Sequence, residues 1–156
     1  GICGGYQMLG RQIIDDEGIE GAPSRVDGLG LLDIETVMKP NKRLAQSKAI
    51  FVPTGDTVTG YEIHLGETSG PDCDRAWLSI DGRGEGAASP DRRIMGCYLH
   101  GLFAADAFRA AFLAQLGQKL PMTNYSQGVE DTLDALAEHL ELHMNIDALL
   151  DLAGAV

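Results

Sequence analysis

The chain opens on a cysteine set among glycines, Gly1-Ile2-Cys3-Gly4-Gly5-Tyr6-Gln7-Met8-Leu9-Gly10. Gly-x-Cys-x-Gly is the spacing of a nucleophile elbow with sulfur in the serine position. An elbow is a cramped strand-to-helix turn, and glycine two residues before and two residues after the nucleophile is expected to remove its clashes. The turn aims the sulfur at the N-terminus of the following helix, where unpaired N–H groups favour a thiolate. The N–H of Gly4, next after the nucleophile, is placed to hold an oxyanion. The chemistry these residues imply is acyl transfer through a cysteine.

A thiol nucleophile needs a base, and the chain has four histidines. His139 and His143 stand four apart on a helical stretch with Glu141 between them. The order is HxExH rather than the HExxH of a zinc helix, and no third ligand is apparent, so the pair reads as solvated surface and not as a metal site. His64 falls inside an extended segment. His100 follows the apolar run Ile94-Met95-Gly96-Cys97-Tyr98 and precedes a helix. Strand ends of this kind are where α/β enzymes gather catalytic groups, which makes His100 the expected base. The other cysteines read differently. Cys97, inside the apolar run, is expected to be buried packing. Cys73, in Gly70-Pro71-Asp72-Cys73-Asp74, is expected to be sluggish because neighbouring carboxylates raise a thiol pKa. Three cysteines at unmatched spacing make no disulfide framework and suit a reducing, cytoplasmic setting.

The elements that must position these groups follow from periodicity. Residues 5–14 read as a helix with Tyr6, Leu9 and Ile13 on one face, and 15–29 as a loop. Residues 30–38 read as a strand stopped by Pro40. Strands over 48–52 and 57–65 are joined through Pro53-Thr54-Gly55-Asp56, which has hairpin chemistry. A short strand over 76–80 ends at Asp81-Gly82, and 85–89 is expected to pair with 93–98 across Pro90-Asp91-Arg92. Phe108, Ala111, Phe112 and Leu116 share a helical face that Gly117 closes. A last helical stretch from Gln127 carries Val129, Leu133, Leu136, Leu140 and Met144 in a stripe, and Asn145 or Asp147 is expected to cap a final turn. Helix, several strands, then helices suit an α/β or α+β layer architecture. They do not make a complete doubly wound sheet, because no strand precedes the first helix.

With 156 residues the chain has the size of about one domain. Twelve Lys and Arg against 23 Asp and Glu give a net charge of −11, a field that repels phosphate backbones and argues against nucleic-acid binding. The longest apolar run, 110–114, is far short of the roughly 20 residues that span a bilayer, which argues against a membrane partner.

Three motifs taken together carry a family resemblance. Gly-Ile-Cys-Gly-Gly-Tyr-Gln at 1–7, Gly-Tyr-Glu-Ile-His-Leu-Gly at 60–66 and Tyr-Leu-His-Gly at 98–101 resemble class I glutamine amidotransferases, in their cobalamin-biosynthesis branch. The tail, Ala137-Glu138-His139-Leu140 through Asn145-Ile146-Asp147-Ala148-Leu149-Leu150, is similar to the C-terminus of that branch. The resemblance implies an α/β fold: a partial class I glutamine amidotransferase (flavodoxin-like) fold lacking its N-terminal strands, with a mixed sheet flanked by helices. It implies that Cys3 attacks the side-chain amide of glutamine with His100 as base. It also implies that Gly4, Gln7, Tyr61, Glu62 and His64 serve substrate binding around the active-site mouth. Residues 1–156 would be the later part of a glutaminase domain, needing no metal or cofactor of its own. The released ammonia would go to an ATP- and magnesium-dependent synthetase domain that amidates a corrinoid. Related readings are a glutaminase subunit that amidates a cell-wall lipid precursor, and an amidotransferase-like module kept only for partner binding. The Tyr61–His64 segment favours the corrinoid branch over the first, and an intact Cys3, Gly4, Gln7 and His100 opposes the second.

Two departures from the family pattern stand out. Many class I amidotransferases carry a glutamate two residues after the histidine to orient the imidazole. Here that residue is Leu102, leaving Glu62 and Asp106 as candidates or a bare Cys3–His100 dyad. The strands and second oxyanion donor that precede the family's elbow, and a phosphate loop of GxxxxGK[ST] type, do not occur between Gly1 and Val156. These residues alone are therefore expected to give no glutaminase turnover above background, one missing oxyanion donor costing about 10²–10³ in rate. Robust turnover in a coupled glutamate assay would refute this.

Overall fold

The structure is a computed structural model describing residues 1–118 and 123–154. Two compact units emerge, Gly1–Leu120 and Pro121–Val156. The first opens with a short helix α1 (Gly4–Leu9), followed by β1 (Gln12–Asp15) and β2 (Ser24–Asp27). Two long strands come next, β3 (Glu35–Phe51) and β4 (Asp56–Ser69). A single turn of 3₁₀ helix (Pro71–Arg75) leads into β5 (Leu78–Ile80), β6 (Arg83–Glu85), β7 (Ala87–Ala88), β8 (Met95–Gly96) and β9 (Leu99–His100). Helix α2 (Asp106–Gln115) closes the unit.

The main sheet runs β2-β1-β3-β4-β9, with β5 and β6 paired onto the distal part of β3. Only β1 and β3 are parallel; the other pairs are antiparallel. The mixed sheet flanked by helices agrees with the expected α/β class.

Three elements differ from the sequence reading, each for a physical reason. The first helix ends at Leu9, not residue 14. Gly10 packs so closely that a Cβ there would lie 2.7 Å from the Ile34 carbonyl oxygen, and the Arg11 N–H donates to that same oxygen at 2.8 Å. The chain is thereby captured by the sheet, and Ile13 belongs to a strand. The expected loop over 15–29 contains β2, whose turn from β1 is clipped by the Asp15 carboxylate accepting from the N–H groups of Ile19 and Glu20. Pro40 does not end its strand, and the strands expected over 30–38 and 48–52 are one, Glu35–Phe51. It falls in the irregularity between Met38 and Arg43, where the ladder with β4 shifts register, so its missing N–H breaks no pair.

Other expectations hold. Residues 52–55 form the turn of the β3–β4 hairpin, with the Gly55 N–H donating to the Phe51 carbonyl at 2.8 Å. Ala87 and Ala88 pair with Gly96 and Met95 as the turn at 90–92 predicts. Asp81-Gly82 is itself a two-residue hairpin turn between β5 and β6, with φ of 52° and 77°.

The larger core gathers Ala49, Phe51 and Val58 from the hairpin, Trp77, Leu78 and Ile80 around β5, and Cys97, Leu99, Leu102 and Phe108. Phe108 is the anchor of α2, its ring 5.0 Å from Phe51 in an edge-to-face contact. Cys97 is buried, as expected. Leu116 is exposed rather than sharing the buried face of α2. A smaller cluster of Tyr6, Leu32, Ile34, Ala87 and Tyr98 seats α1. The second unit holds α3 (Tyr125–His143) and α4 (Ile146–Ala153). Asn124 and Asn145 cap them, each side chain accepting an N–H three residues on at 3.0 Å.

The site depends on how closely β9 lies along β4. A Cβ at Gly60 would stand 2.1 Å from the His100 carbonyl oxygen. Gly60→Ala is expected to lower stability by about 1–3 kcal/mol, because strand must part from strand. Gly21→Ala, at a position with nothing within 4 Å, is expected to stay within about 0.5 kcal/mol of wild type. Urea midpoints of the two variants compare them directly.

Candidate active site

Cys3 adopts φ 53° and ψ −119°, a backbone region that a residue with a side chain seldom occupies. Neighbouring strands hold it there. Its N–H donates to the Cys97 carbonyl at 2.9 Å, the Cys97 N–H donates to Gly1 at 3.1 Å, and Ile2 bridges Cys97 in parallel. The Cys3 carbonyl accepts from Tyr6 and Gln7 at 2.9 and 3.1 Å, so α1 starts directly after the sulfur. The two glycines are not equivalent, contrary to expectation. A Cβ at Gly1 would lie 2.5 Å from the Gly5 carbonyl oxygen, whereas one at Gly5 would meet nothing within 4 Å. Gly1 alone is demanded by the turn. Gly4 is exposed at the first position of α1.

The thiol of Cys3 is half-buried and donates to the Ile63 carbonyl, 3.5 Å away. Ile63 belongs to the Tyr61–Gly66 segment, here the middle of β4. The ladder places Tyr61 opposite His100 and Glu62 opposite Leu99. Residues 3, 63 and 100 are thus brought to one region by α1, β4 and β9. The His100 ring lies parallel to that of Tyr61, with centroids 4.9 Å apart. Its Nε2 is buried and, among the described residues, has no hydrogen-bond partner.

Gln7 joins a polar chain that crosses three elements. Its amide donates to the Tyr98 hydroxyl at 3.2 Å, that hydroxyl bonds Thr68 at 2.6 Å, and Thr68 bonds Thr36 at 2.7 Å. The chain closes over Gly66, where a Cβ would come 2.5 Å from Gln7 Nε2 and 3.0 Å from the Tyr98 hydroxyl. His64 stacks on the other side of this network, its ring centroid 3.8 Å from that of Tyr98. Its Nδ1 bonds the Gly66 carbonyl at 2.8 Å, which requires the proton on that nitrogen. Burial pushes the Tyr98 phenol up, keeping it a neutral donor and acceptor. A cleft of about 250 Å³ opens along Tyr6, His64, Thr68, Glu85 and Tyr98.

Glu62 points elsewhere. It is 0% exposed, and its two oxygens are taken by Arg43 at 2.5 Å, Ser47 at 3.2 Å and Arg83 at 2.9 Å. Arg83 also binds Glu85, which accepts the Tyr98 N–H at 2.8 Å. Asp106 bonds Arg109 at 2.6 Å. Among the described residues, neither carboxylate is hydrogen-bonded to the imidazole of His100. Sequence reasoning missed Arg43, Arg83, Glu85 and the two threonines. Only the strand register could have found them, since Arg43 lies opposite His64 and Thr36 opposite Thr68. Burial is the main cause that pushes the Cys73 thiol up, with Asp74, Glu85 and Asp72 adding to it, so the acidic neighbours are secondary. Burial likewise pushes the Cys97 thiol up to about 12. His139 and His143 lie with ring centroids 4.4 Å apart and planes tilted by 50°, and among the described residues no group of three His, Cys, Asp or Glu could hold a metal ion.

Burial pushes the Glu62 carboxyl up, but the hydrogen bonds and charges of Arg43 and Arg83 outweigh it and hold the group below its ordinary range. A carboxyl held low in the folded state stabilises above its unfolded pKa of about 4.3, and that contribution is lost as pH falls through the folded value. Urea stability measured from pH 7 down to pH 3 is therefore expected to fall more steeply in wild type than in Glu62→Gln. Parallel profiles would count against the ion cluster.

Comparison with known proteins agrees with this geometry. The profile of the CobB/CobQ-like glutamine amidotransferase domain matches residues 1–108. A cobyric acid synthase of Ruegeria sp. (strain TM1040) is 56% identical over 156 residues, covering 100% of this chain and 32% of its own length. One from Cereibacter sphaeroides (strain ATCC 17025 / ATH 2.4.3) is 54% identical over 153 residues, covering 98% of this chain and 32% of its own. One from Bradyrhizobium diazoefficiens is 49% identical over 153 residues, covering 98% and 32%. The chain thus spans about a third of the length of the curated relatives it matches. No helix of the described residues is long and apolar enough to cross a membrane. The elbow, the β4 segment and the β9 histidine all lie inside the matched region, and the chain belongs to the CobB/CobQ-like glutamine amidotransferase family.

Proposed function

We propose that the chain is the glutaminase part of a cobyric acid synthase, releasing ammonia from glutamine for amidation of a corrinoid. One observation carries the reading: the Cys3 thiol sits on the Ile63 carbonyl while Tyr61, two residues earlier on the same strand, pairs with His100, so three separate motifs converge. The relatives' printed names supply the corrinoid context.

In this reading His100 takes the proton from the Cys3 thiol, and the sulfur attacks the side-chain carbonyl carbon of glutamine. The C–O π pair moves to oxygen, where the Gly4 N–H receives it. Collapse expels the amide nitrogen, which leaves as ammonia with the proton from His100, and a glutamyl thioester remains. Water, deprotonated by His100, attacks the thioester carbon, releases glutamate and restores the thiol. Gln7, fixed through Tyr98, lies one helical turn past the sulfur and borders the glutamine pocket. ATP with magnesium would act in a separate synthetase region on the corrinoid carboxylates, a reaction that suits the cytoplasm with its nucleotide supply.

A glutamine-like diazo-ketone applied to the full-length protein is expected to label Cys3 stoichiometrically. Cys3→Ala should abolish that labelling and lower glutamine-driven amidation by about 10⁴-fold or more, while amidation driven by added ammonium salt persists. Undiminished labelling of the alanine variant would sink the mechanism.

A further inference from the structure

Among the described residues no carboxylate is hydrogen-bonded to His100, where an imidazole base is ordinarily held by one. The residue two positions on is Leu102, which is fully buried in the apolar core. Both oxygens of Glu62 go to Arg43, Ser47 and Arg83. Asp106 is turned to Arg109. Among the described residues Nε2 of His100 is buried without a hydrogen-bond partner, so no hydrogen bond at that atom fixes the rotation of the ring.

A ring contact is present instead. Tyr61 lies directly opposite His100 in the β4–β9 ladder, and the two planes are within 8° of parallel at 4.9 Å. Tyr61 is 42% exposed, so its ring is not there to fill the core. The backbone under the pair leaves it little play. A Cβ at Gly60 would strike the His100 carbonyl oxygen at 2.1 Å, and a Cβ at Gly101 would rest 3.9 Å from the Tyr61 ring. Offset-parallel stacking at this distance fixes the plane of a ring about its Cβ–Cγ bond without needing a donor or acceptor.

We infer that Tyr61 is the positioning residue for His100, holding the imidazole plane by stacking where related sites use a carboxylate. The inference rests on the proposed glutaminase reading, in which His100 is the base. It gives the tyrosine a role in orienting the base rather than in binding glutamine. What the tyrosine supplies is the face of an aromatic ring and not a hydroxyl.

The test compares Tyr61→Ala, Tyr61→Leu and Tyr61→Phe in the full-length protein, reading glutamate release and the ring-proton shifts of selectively labelled histidine. The His100 signal is identified by its loss in His100→Gln. Alanine and leucine are expected to lower kcat by about 10–10²-fold with KM within about twofold, the scale of a misplaced catalytic group. Phenylalanine should recover most of that loss. The His100 ring protons should carry an upfield ring-current shift that disappears in the alanine and leucine variants and returns with phenylalanine. Leucine keeps the apolar bulk, so a defect shared by alanine and leucine but not by phenylalanine belongs to the aromatic face. A phenylalanine variant as impaired as alanine would overturn the inference, because the hydroxyl would then be the working part. So would a rise in KM with kcat unchanged, which would make Tyr61 a glutamine contact, or a His100 signal that does not move. Turnover that survives Cys3→Ala in the same assay would instead remove the glutaminase reading and leave the stacking result standing by itself.

Discussion

The two-residue ladder between β4 and β9 sets Tyr61 against His100 and Glu62 against Leu99, and the site depends on it. The sulfur and the histidine are 97 positions apart, so no local preference can bring them together. β4 serves as a rail with a different attachment at each of five residues. Tyr61 takes the imidazole, Glu62 the two arginines, the Ile63 carbonyl the thiol, His64 the Tyr98 ring, and Gly66 leaves room for Gln7. Five attachments within six residues of one strand explain why Tyr61–Gly66 is so specific a motif. A register slip of one residue would turn all of them to the wrong side.

The charge cluster beneath this rail makes such a slip costly. A buried carboxylate loses its hydration and must be repaid by close partners, and breaking such a pair on one side is strongly unfavourable. Glu62 receives Arg43 from β3 and Arg83 from β6, and Arg83 passes on to Glu85, which holds the N–H of Tyr98. The two arginines are each about half exposed, so their cost is modest and the carboxylate carries most of the constraint. The cluster ties the hairpin β5–β6 to the long hairpin β3–β4 and to the approach to β9. The polar chain from Thr36 through Thr68 and Tyr98 to Gln7 does the same for α1. Two polar ties thus fix the apolar strands at the positions that carry the site.

What could be read from the sequence was chemistry carried by local spacing. The Gly1–Gly5 turn, His100 at a strand end, the hairpin at 52–55 and the Asn145 cap each follow from a few adjacent residues. The failures share one cause, tertiary capture of a segment whose local pattern pointed elsewhere. Leu9 and Ile13 are helically spaced, but the Ile34 carbonyl seizes the chain at Arg11 and makes residues 12–15 a strand. Pro40 is a strand breaker in isolation, yet a bulge accommodates it within a 17-residue strand. Gly5 matched the elbow pattern, although only Gly1 is forced by contact. The arginine partners of Glu62 lie 19 and 21 positions away, and only the fold reveals them.

Among the described residues no carboxylate is bonded to His100, and the acidic groups of this sheet are used elsewhere. With Leu102 filling the core, the position two after the histidine cannot carry charge without leaving it buried and unpaired. A buried carboxylate, Glu62, is on the neighbouring strand but is needed to hold three strands together. Taking it for the imidazole would strip Arg43 and Arg83 of their partner and loosen the rail on which the thiol sits. An aromatic face has no such conflict. It is neutral and half-exposed, needs no hydrogen bond, and reaches the imidazole across the ladder that already exists. Charge is kept for architecture and ring contact for the imidazole, and each is free to do its part without weakening the other.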